Sequence, residues 1–158
     1  MFQDKYQSKK TLSYEEYKKI GEVFCPQLKS NVKFNSYGFW HIVYRSGGKK
    51  RDVNAQMMRF KLLPKAVELL GLTTTLQEYD SFTKELPANN HGVKTHVITR
   101  VEYFGYIGII ESWKIKVIVK KIGNGEPFFW SVIPNWVTSK KRDVKNSYKN
   151  SKGNLEED

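Results

Sequence analysis

The sequence holds little that could staple it, carry it across a bilayer or ligate a metal. A single cysteine, Cys25, stands among 158 residues, which excludes an internal disulfide and a multi-thiolate zinc site. No apolar run approaches the roughly 18–20 residues needed to cross a bilayer. Residues 1–10 are polar and lack the apolar stretch of a secretory signal. The expectation is a cytoplasmic protein with no membrane partner. The three histidines, His41, His91 and His96, are not spaced as a helical metal pair, and Asp and Glu are scattered rather than grouped for two metal ions. A Gly-rich phosphate loop ending in Lys-Ser/Thr, a G-x-S-x-G elbow and a G-x-G-x-x-G turn are all missing. No metal and no cofactor is expected, and most metal-dependent nucleases and nucleotide hydrolases are disfavoured.

What the chain has in excess is positive charge and aromatic area. The net charge is +11, and Phe, Tyr and Trp make up 14% of the residues. Residues 138–158 carry six Lys/Arg against four acids, a net of +2, so +9 remains on residues 1–137. The body itself is therefore basic, which concentrates phosphate polymers near it and speeds encounter with them. The length suits one domain, placed at 1–137, followed by a basic, polar tail at 138–158 expected to be disordered.

Periodicity gives the order of elements. Ser13 and Glu16 form a capping-box pattern ahead of Tyr17, Ile20, Val23 and Phe24, which predicts an amphipathic helix over 13–24. Val32 and Phe34 suggest a short strand, and residues 35–38 a turn. Residues 39–45 read as either a helical turn or a strand, and Gly47-Gly48 as a flexible basic loop. Asp52 is placed to cap a helix through Phe60, and Pro64 to open a second helix ending at Gly71. Strands are expected over 73–82, 95–110, 113–122 and 126–133, with a polar loop at 87–92 and bends at Gly105 and Gly108. Helices first and strands afterwards predict an α+β fold, with N-terminal helices on one face of an antiparallel sheet of about four strands.

The closing hairpin gives the sharpest register. With Asn124-Gly125 as the central pair of a type I′ turn, Lys120 faces Phe129, Ile118 faces Ser131 and Lys116 faces Ile133. Ile115, Val117, Val119, Phe128, Trp130 and Val132 then form a core face. Lys114, Lys116, Lys120, Ser131 and Phe129 share the other face, where lysines and an aromatic ring suit phosphates and a stacked base. The plainer alternative is a half-solvated sheet with its lysines in water.

One reaction class needs only histidine and cations. RNA is cleaved by its own 2′-hydroxyl when a base takes that proton, an acid protonates the leaving oxygen and cations hold the phosphorane charge. His41 titrates near neutral pH and is followed by Arg45, Lys49, Lys50, Arg51 and Arg59, which suit phosphate. The alternative for His41 is a histidine that fills the core or caps a helix. His96 and Arg100 share a strand face and form a second candidate pair.

The stretch Val32-Lys33-Phe34-Asn35 with Gly38-Phe39-Trp40-His41-Ile42, the segment Arg51 to Arg59-Phe60-Lys61-Leu62-Leu63, and the hairpin from Ile115 through Gly123-Asn124-Gly125 to Phe129-Trp130-Ser131-Val132 together resemble motifs of small phage- and plasmid-associated proteins. These belong to the barnase–EndoU–colicin–RelE nuclease fold. The resemblance spans about residues 24–136, with Trp40, Ile42 and Lys120-Lys121 departing from its pattern. It implies helices packed on a curved antiparallel sheet that holds RNA, and metal-independent toxin-type ribonuclease chemistry. His41, Arg51, Arg59 and Ser131 match the catalytic positions, and a protein antitoxin or immunity partner is implied. Two other readings share the charge and aromatics: a non-catalytic nucleic-acid binder, such as a regulator or phage accessory protein, and an inhibitor or interaction module whose basic face meets an acidic protein. Convergence of His41, Arg51, Arg59 and Ser131 in one place is the feature that favours the enzyme.

Overall fold

A computed structural model describes residues 2–135 and 154–158. In chain order the elements are α1 (Phe2–Ile20), β1 (Glu22–Cys25), β2 (Ser30–Lys33), α2 (Ser36–Val43), α3 (Val53–Leu72), β3 (Glu78–Asn90), β4 (Val93–Ile110), β5 (Trp113–Ile122) and β6 (Phe128–Pro134). The class is α+β with the helices in the N-terminal half. The sheet, however, has six strands rather than four, in the order β1-β2-β6-β5-β4-β3. It is mixed rather than antiparallel, because β2 runs parallel to β6. Among the described residues no helix is long and apolar enough to cross a membrane. Of the expected tail, residues 138–153 lie outside the described residues, whereas residues 154–158 lie against the sheet with Leu155 buried.

Four helix boundaries differ from the sequence expectation, each for a local reason. The first helix begins at Phe2, not Ser13, and Ser13 sits buried inside it without a hydrogen-bond partner for its Oγ. Tyr6 is buried and donates its hydroxyl to Gln56 Oε1 at 2.5 Å, which ties the polar N-terminal turns to α3. Gly21, at φ 69°, stops the helix, so Val23 and Cys25 become strand β1 instead of a last helical turn. Residues 35–38 are not a free turn: Asn35 caps α2, accepting from Gly38 N at 3.4 Å. Asp52 caps α3 as expected, accepting from Ala55 N at 3.0 Å. Pro64 does not open a new helix but lies within α3. It is on the exposed side, while Leu62, Leu63, Ala66, Leu69 and Leu70 are buried. That burial offsets the roughly 3 kcal/mol a proline costs a helix interior.

The helices cover one face of the sheet. Phe39, Ile42, Phe60, Leu63 and Leu70 meet Tyr106, Ile115, Val117, Val119, Phe129 and Val132 in the main core. Gly108 does not break β4, whose pairing with β5 runs through it; a Cβ there would lie 2.5 Å from a Leu69 methyl, so glycine is what lets α3 lie close to the strand. β3 and β4 run on past the sheet. β4 pairs with β5 only from Val101 onward, so residues 93–100 pair with β3 alone as a two-stranded ribbon that closes at His91-Gly92 rather than in a loop over 87–92.

The β5–β6 hairpin corrects the expected register at its tip. Positive φ falls on Gly123, and Gly125 N donates to Ile122 O at 2.9 Å, so Gly123-Asn124 is the central pair. Lys116 faces Ile133 and Ile118 faces Ser131 as expected, but Lys120 faces Phe128 and Val119 faces Phe129. The difference is a bulge, with Trp130 the extra residue of β6 between those two registers. Phe129 therefore turns into the core, stacked on Phe34 at 4.8 Å. Trp130 leaves the core face and joins Ser131 on the opposite one.

Gly38 sets how closely α2 approaches this strand. A Cβ at Gly38 would overlap the Phe129 carbonyl oxygen and press on the Tyr17 hydroxyl at 2.7 Å. Gly38→Ala is expected to lower the free energy of unfolding by about 1–3 kcal/mol, the range of an overpacked interior. Denaturant titration measures it, and an unchanged midpoint would contradict the packing of α2 on β6.

Candidate functional site

β2 and β6 meet only through Lys33 and Phe128. Past that pair, the end of α2 and the start of α3 close on β6, and there four side chains singled out from the sequence come together. Arg51 is fixed along its whole length. Its backbone N donates to Val43 O at 2.8 Å, and its carbonyl accepts from Gln56 Nε2 at 2.7 Å. Its Nε donates to His41 O at 3.0 Å and its Nη2 lies 3.1 Å from His41 Nε2. Arg59 reaches from α3 to donate to Ser131 Oγ at 2.5 Å. His41, Arg51, Arg59 and Ser131 are each at most 8% exposed.

The bulge in β6 adds Trp130 to this set. The His41 ring stacks on Trp130 with centroids 3.9 Å apart and planes 18° apart. Lys120 Nζ stands 4.0 Å from the Trp130 ring centroid and 5.3 Å from that of Tyr103. Two groups so near one ring cannot share a face, so the indole lies between imidazole and ammonium. Lys116 extends the cationic surface along β5 and pairs with Glu78 at 3.3 Å.

Burial and like charge push His41, Arg51, Arg59 and Lys120 away from their charged forms. His41 is lowered to about 2, by desolvation first and then by Arg51, Arg59 and Lys120. A guanidinium has only donors, so His41 Nε2 accepts from Arg51 and the neutral ring carries its proton on Nδ1. Arg59 is lowered to about 9 by desolvation and by Arg51, with Asp158 acting in the opposite direction. Lys120 is lowered to about 8 by desolvation and by Lys84, with Glu156 opposing. Arg51 is lowered by desolvation and by Arg45.

Segment 154–158 lies over the cluster. Arg59 Nη1 and Ser131 Oγ donate to Asp158 O at 2.6 and 2.8 Å, and Lys116 Nζ to Asp158 Oδ2 at 2.7 Å. Arg51 Nη2 donates to Glu157 O at 3.1 Å, and Trp130 Nε1 to Glu156 O at 3.0 Å.

The remaining expected residues divide. Lys116 and Lys120 are at the site. Arg45 is exposed beside it and acts through its charge on Arg51 and Arg59. Lys114 is exposed farther along β5, and Lys49 is exposed in the loop before Arg51. Lys50 turns toward α1, its Nζ 5.5 Å from the Tyr6 ring. Phe129 is a core residue and presents nothing to a ligand. His96 and Arg100 are not part of the cluster. They lie on the ribbon, His96 3.9 Å from Glu85, Arg100 bonded to Ser81 Oγ and Tyr79 OH. Sequence reasoning missed Trp130, Tyr103 and Lys84. The first was hidden by the bulge, and the last by ending the strand at residue 82. Among the described residues, no three His, Cys, Asp or Glu side chains gather to hold a metal ion. No family model matches the chain, and neither a curated protein nor a solved structure does.

The depressed His41 has a defined effect on stability. Its folded value lies below the ordinary 6.5, so between the two values the unfolded chain binds the extra proton. Stability from this group is complete above pH 6.5 and falls as pH drops toward 2, by up to about 1.4 kcal/mol per pH unit. Urea titrations from pH 7 to pH 4 should show this loss, and His41→Asn should flatten the slope over that range. Equal slopes for both proteins would place His41 outside this buried, cation-flanked environment.

Proposed function

We propose that this chain is a metal-independent endoribonuclease of the toxin type, cleaving RNA by attack of a 2′-hydroxyl on the adjacent phosphate. The observation that carries the reading is the convergence of His41 from α2, Arg51 from just before α3, Arg59 from within α3, and Ser131 from β6 beside a stacked tryptophan. The resemblance to the barnase–EndoU–colicin–RelE nucleases supports it, since these four match the catalytic positions of that fold. On this reading the 2′-oxygen bonds to phosphorus and the bond from phosphorus to the 5′-oxygen breaks, leaving a 2′,3′-cyclic phosphate and a 5′-hydroxyl. Neutral His41 takes the 2′-hydroxyl proton, and the bound phosphate supplies the negative charge that the protonated ring then needs beside Arg51, Arg59 and Lys120. Lys120, poised near pH 8, gives a proton to the leaving oxygen, the division of roles expected where environments push two groups apart. Arg51, Arg59 and Ser131 hold the phosphate oxygens. A phosphate that draws Arg51 Nη2 onto itself also frees the His41 Nε2 lone pair for its task. A protein antitoxin or immunity partner accompanies the toxin reading.

One observation favours a non-catalytic RNA binder instead: Arg51 occupies the His41 nitrogen a base would use. Incubating total RNA with the purified protein in EDTA separates the two. Discrete fragments ending in cyclic phosphate are expected, with His41→Ala and Arg59→Ala each slowing cleavage by about 10²–10⁴-fold. Intact RNA that binds with a steep salt dependence would transfer the conclusion to the binder.

A further inference from the structure

Residues 154–158, Asn-Leu-Glu-Glu-Asp, make one tight turn, in which Asp158 N donates to Asn154 O at 2.8 Å and Glu157 N to the same oxygen at 3.2 Å. A turn of this kind leaves its last carbonyls unpaired and carries partial negative charge at that end. Here those carbonyls enter the site. Glu156 O accepts from Trp130 Nε1 at 3.0 Å and Ser46 Oγ at 3.1 Å. Glu157 O accepts from Arg51, and Asp158 O from both Arg59 and Ser131. The acidic side chains add to this, with Glu156 paired to Lys84 and Asp158 to Lys116. Leu155 is 2% exposed and packs on Val101, Tyr103 and Ile118, with Phe82 and Trp130 alongside. Gly105 leaves it room; a Cβ there would lie 3.2 Å from a Leu155 methyl.

The donors engaged by these oxygens are the ones a phosphate needs. The surface under Leu155 is apolar and edged by aromatic rings, with Phe82 and Tyr103 stacked at 5.6 Å. Phosphate donors beside an aromatic platform are the combination that binds unpaired RNA. We infer that segment 154–158 is a built-in occupant of the RNA site, its carbonyl oxygens standing where phosphate oxygens go and Leu155 covering a subsite for an unpaired base. RNA binds by displacing it, so the docked segment lowers apparent affinity by the fraction of molecules in which the site is open. The inference rests on the site being one for RNA, not on the site being catalytic.

The test uses the full chain and a 2′-O-methyl RNA oligonucleotide, which binds but has no hydroxyl to attack. Leu155→Asp removes the apolar anchor while adding negative charge, so an electrostatic effect alone would weaken RNA binding. The expected result is binding tighter by about tenfold, read by fluorescence anisotropy, with a melting transition that shows the variant folded. Unchanged or weaker affinity in the folded variant overturns the inference. A measurement on the unmutated chain guards against a variant that fails to fold: hydrogen exchange at the Glu157 and Asp158 amides should accelerate when the oligonucleotide saturates the protein. Amides that stay as protected with RNA bound overturn it as well. Tighter binding by Leu155→Asp with no cleavage of ordinary RNA by either protein keeps the inference and removes the nuclease. Cleavage by both at equal affinity does the reverse, and absence of RNA binding by either overturns both.

Discussion

Arg51, Arg59 and Lys116 are each less than a tenth exposed and share one corner of the sheet. Like charges so placed persist only where oxygen atoms answer them, because the desolvation of each cation is worth several kcal/mol. The acceptors come from far apart in the chain: the His41 carbonyl, the Ser131 hydroxyl, the Glu78 carboxylate and the oxygens of Glu157 and Asp158. This requirement accounts for the neutral imidazole, since a further positive charge beside two guanidinium groups has no acceptor left to meet it. It also accounts for the position of segment 154–158, whose Glu157 and Asp158 backbone oxygens supply what the protein body lacks.

Much of the fold was legible because local chemistry and global packing agree. Asp52 was readable as a cap, and the strand over 113–122 was found to the residue, because its β-branched run ends at the Gly123-Asn124-Gly125 turn signal. Failures fell where a residue has two uses. Pro64 reads as a helix start, yet buried leucines on both sides carry the helix through it. Asn124-Gly125 reads as the centre of a turn, yet Gly123 takes the positive φ. Strand β1 is four residues long, too short for periodicity to separate it from the helix before it, whereas the alternation at Val32 did mark β2.

The four-residue set at the site was legible from residue type and from family resemblance, because histidine and arginine near one another serve few purposes besides anion chemistry. Its surroundings were not. A strict two-residue period puts Trp130 in the core and Phe129 outside, and one extra residue in β6 exchanges them. No periodic reading signals a bulge in advance. The docking of residues 154–158 had only a faint signature, a leucine and three acids following a lysine-rich stretch in a basic protein.

The parallel pairing of β2 with β6 joins Lys33 to Phe128, and closing so long a loop makes this one of the slower contacts to form. His41 lies on one side of that loop and Ser131 on the other. The first hundred residues emerging from a ribosome hold all three helices and the Arg51–His41 contact, but they cannot complete the cation corner, because Ser131 has not yet been synthesised. Assembly of the cation corner is thus tied by topology to the last steps of folding, and its buried charges meet their partners only once the chain is nearly whole.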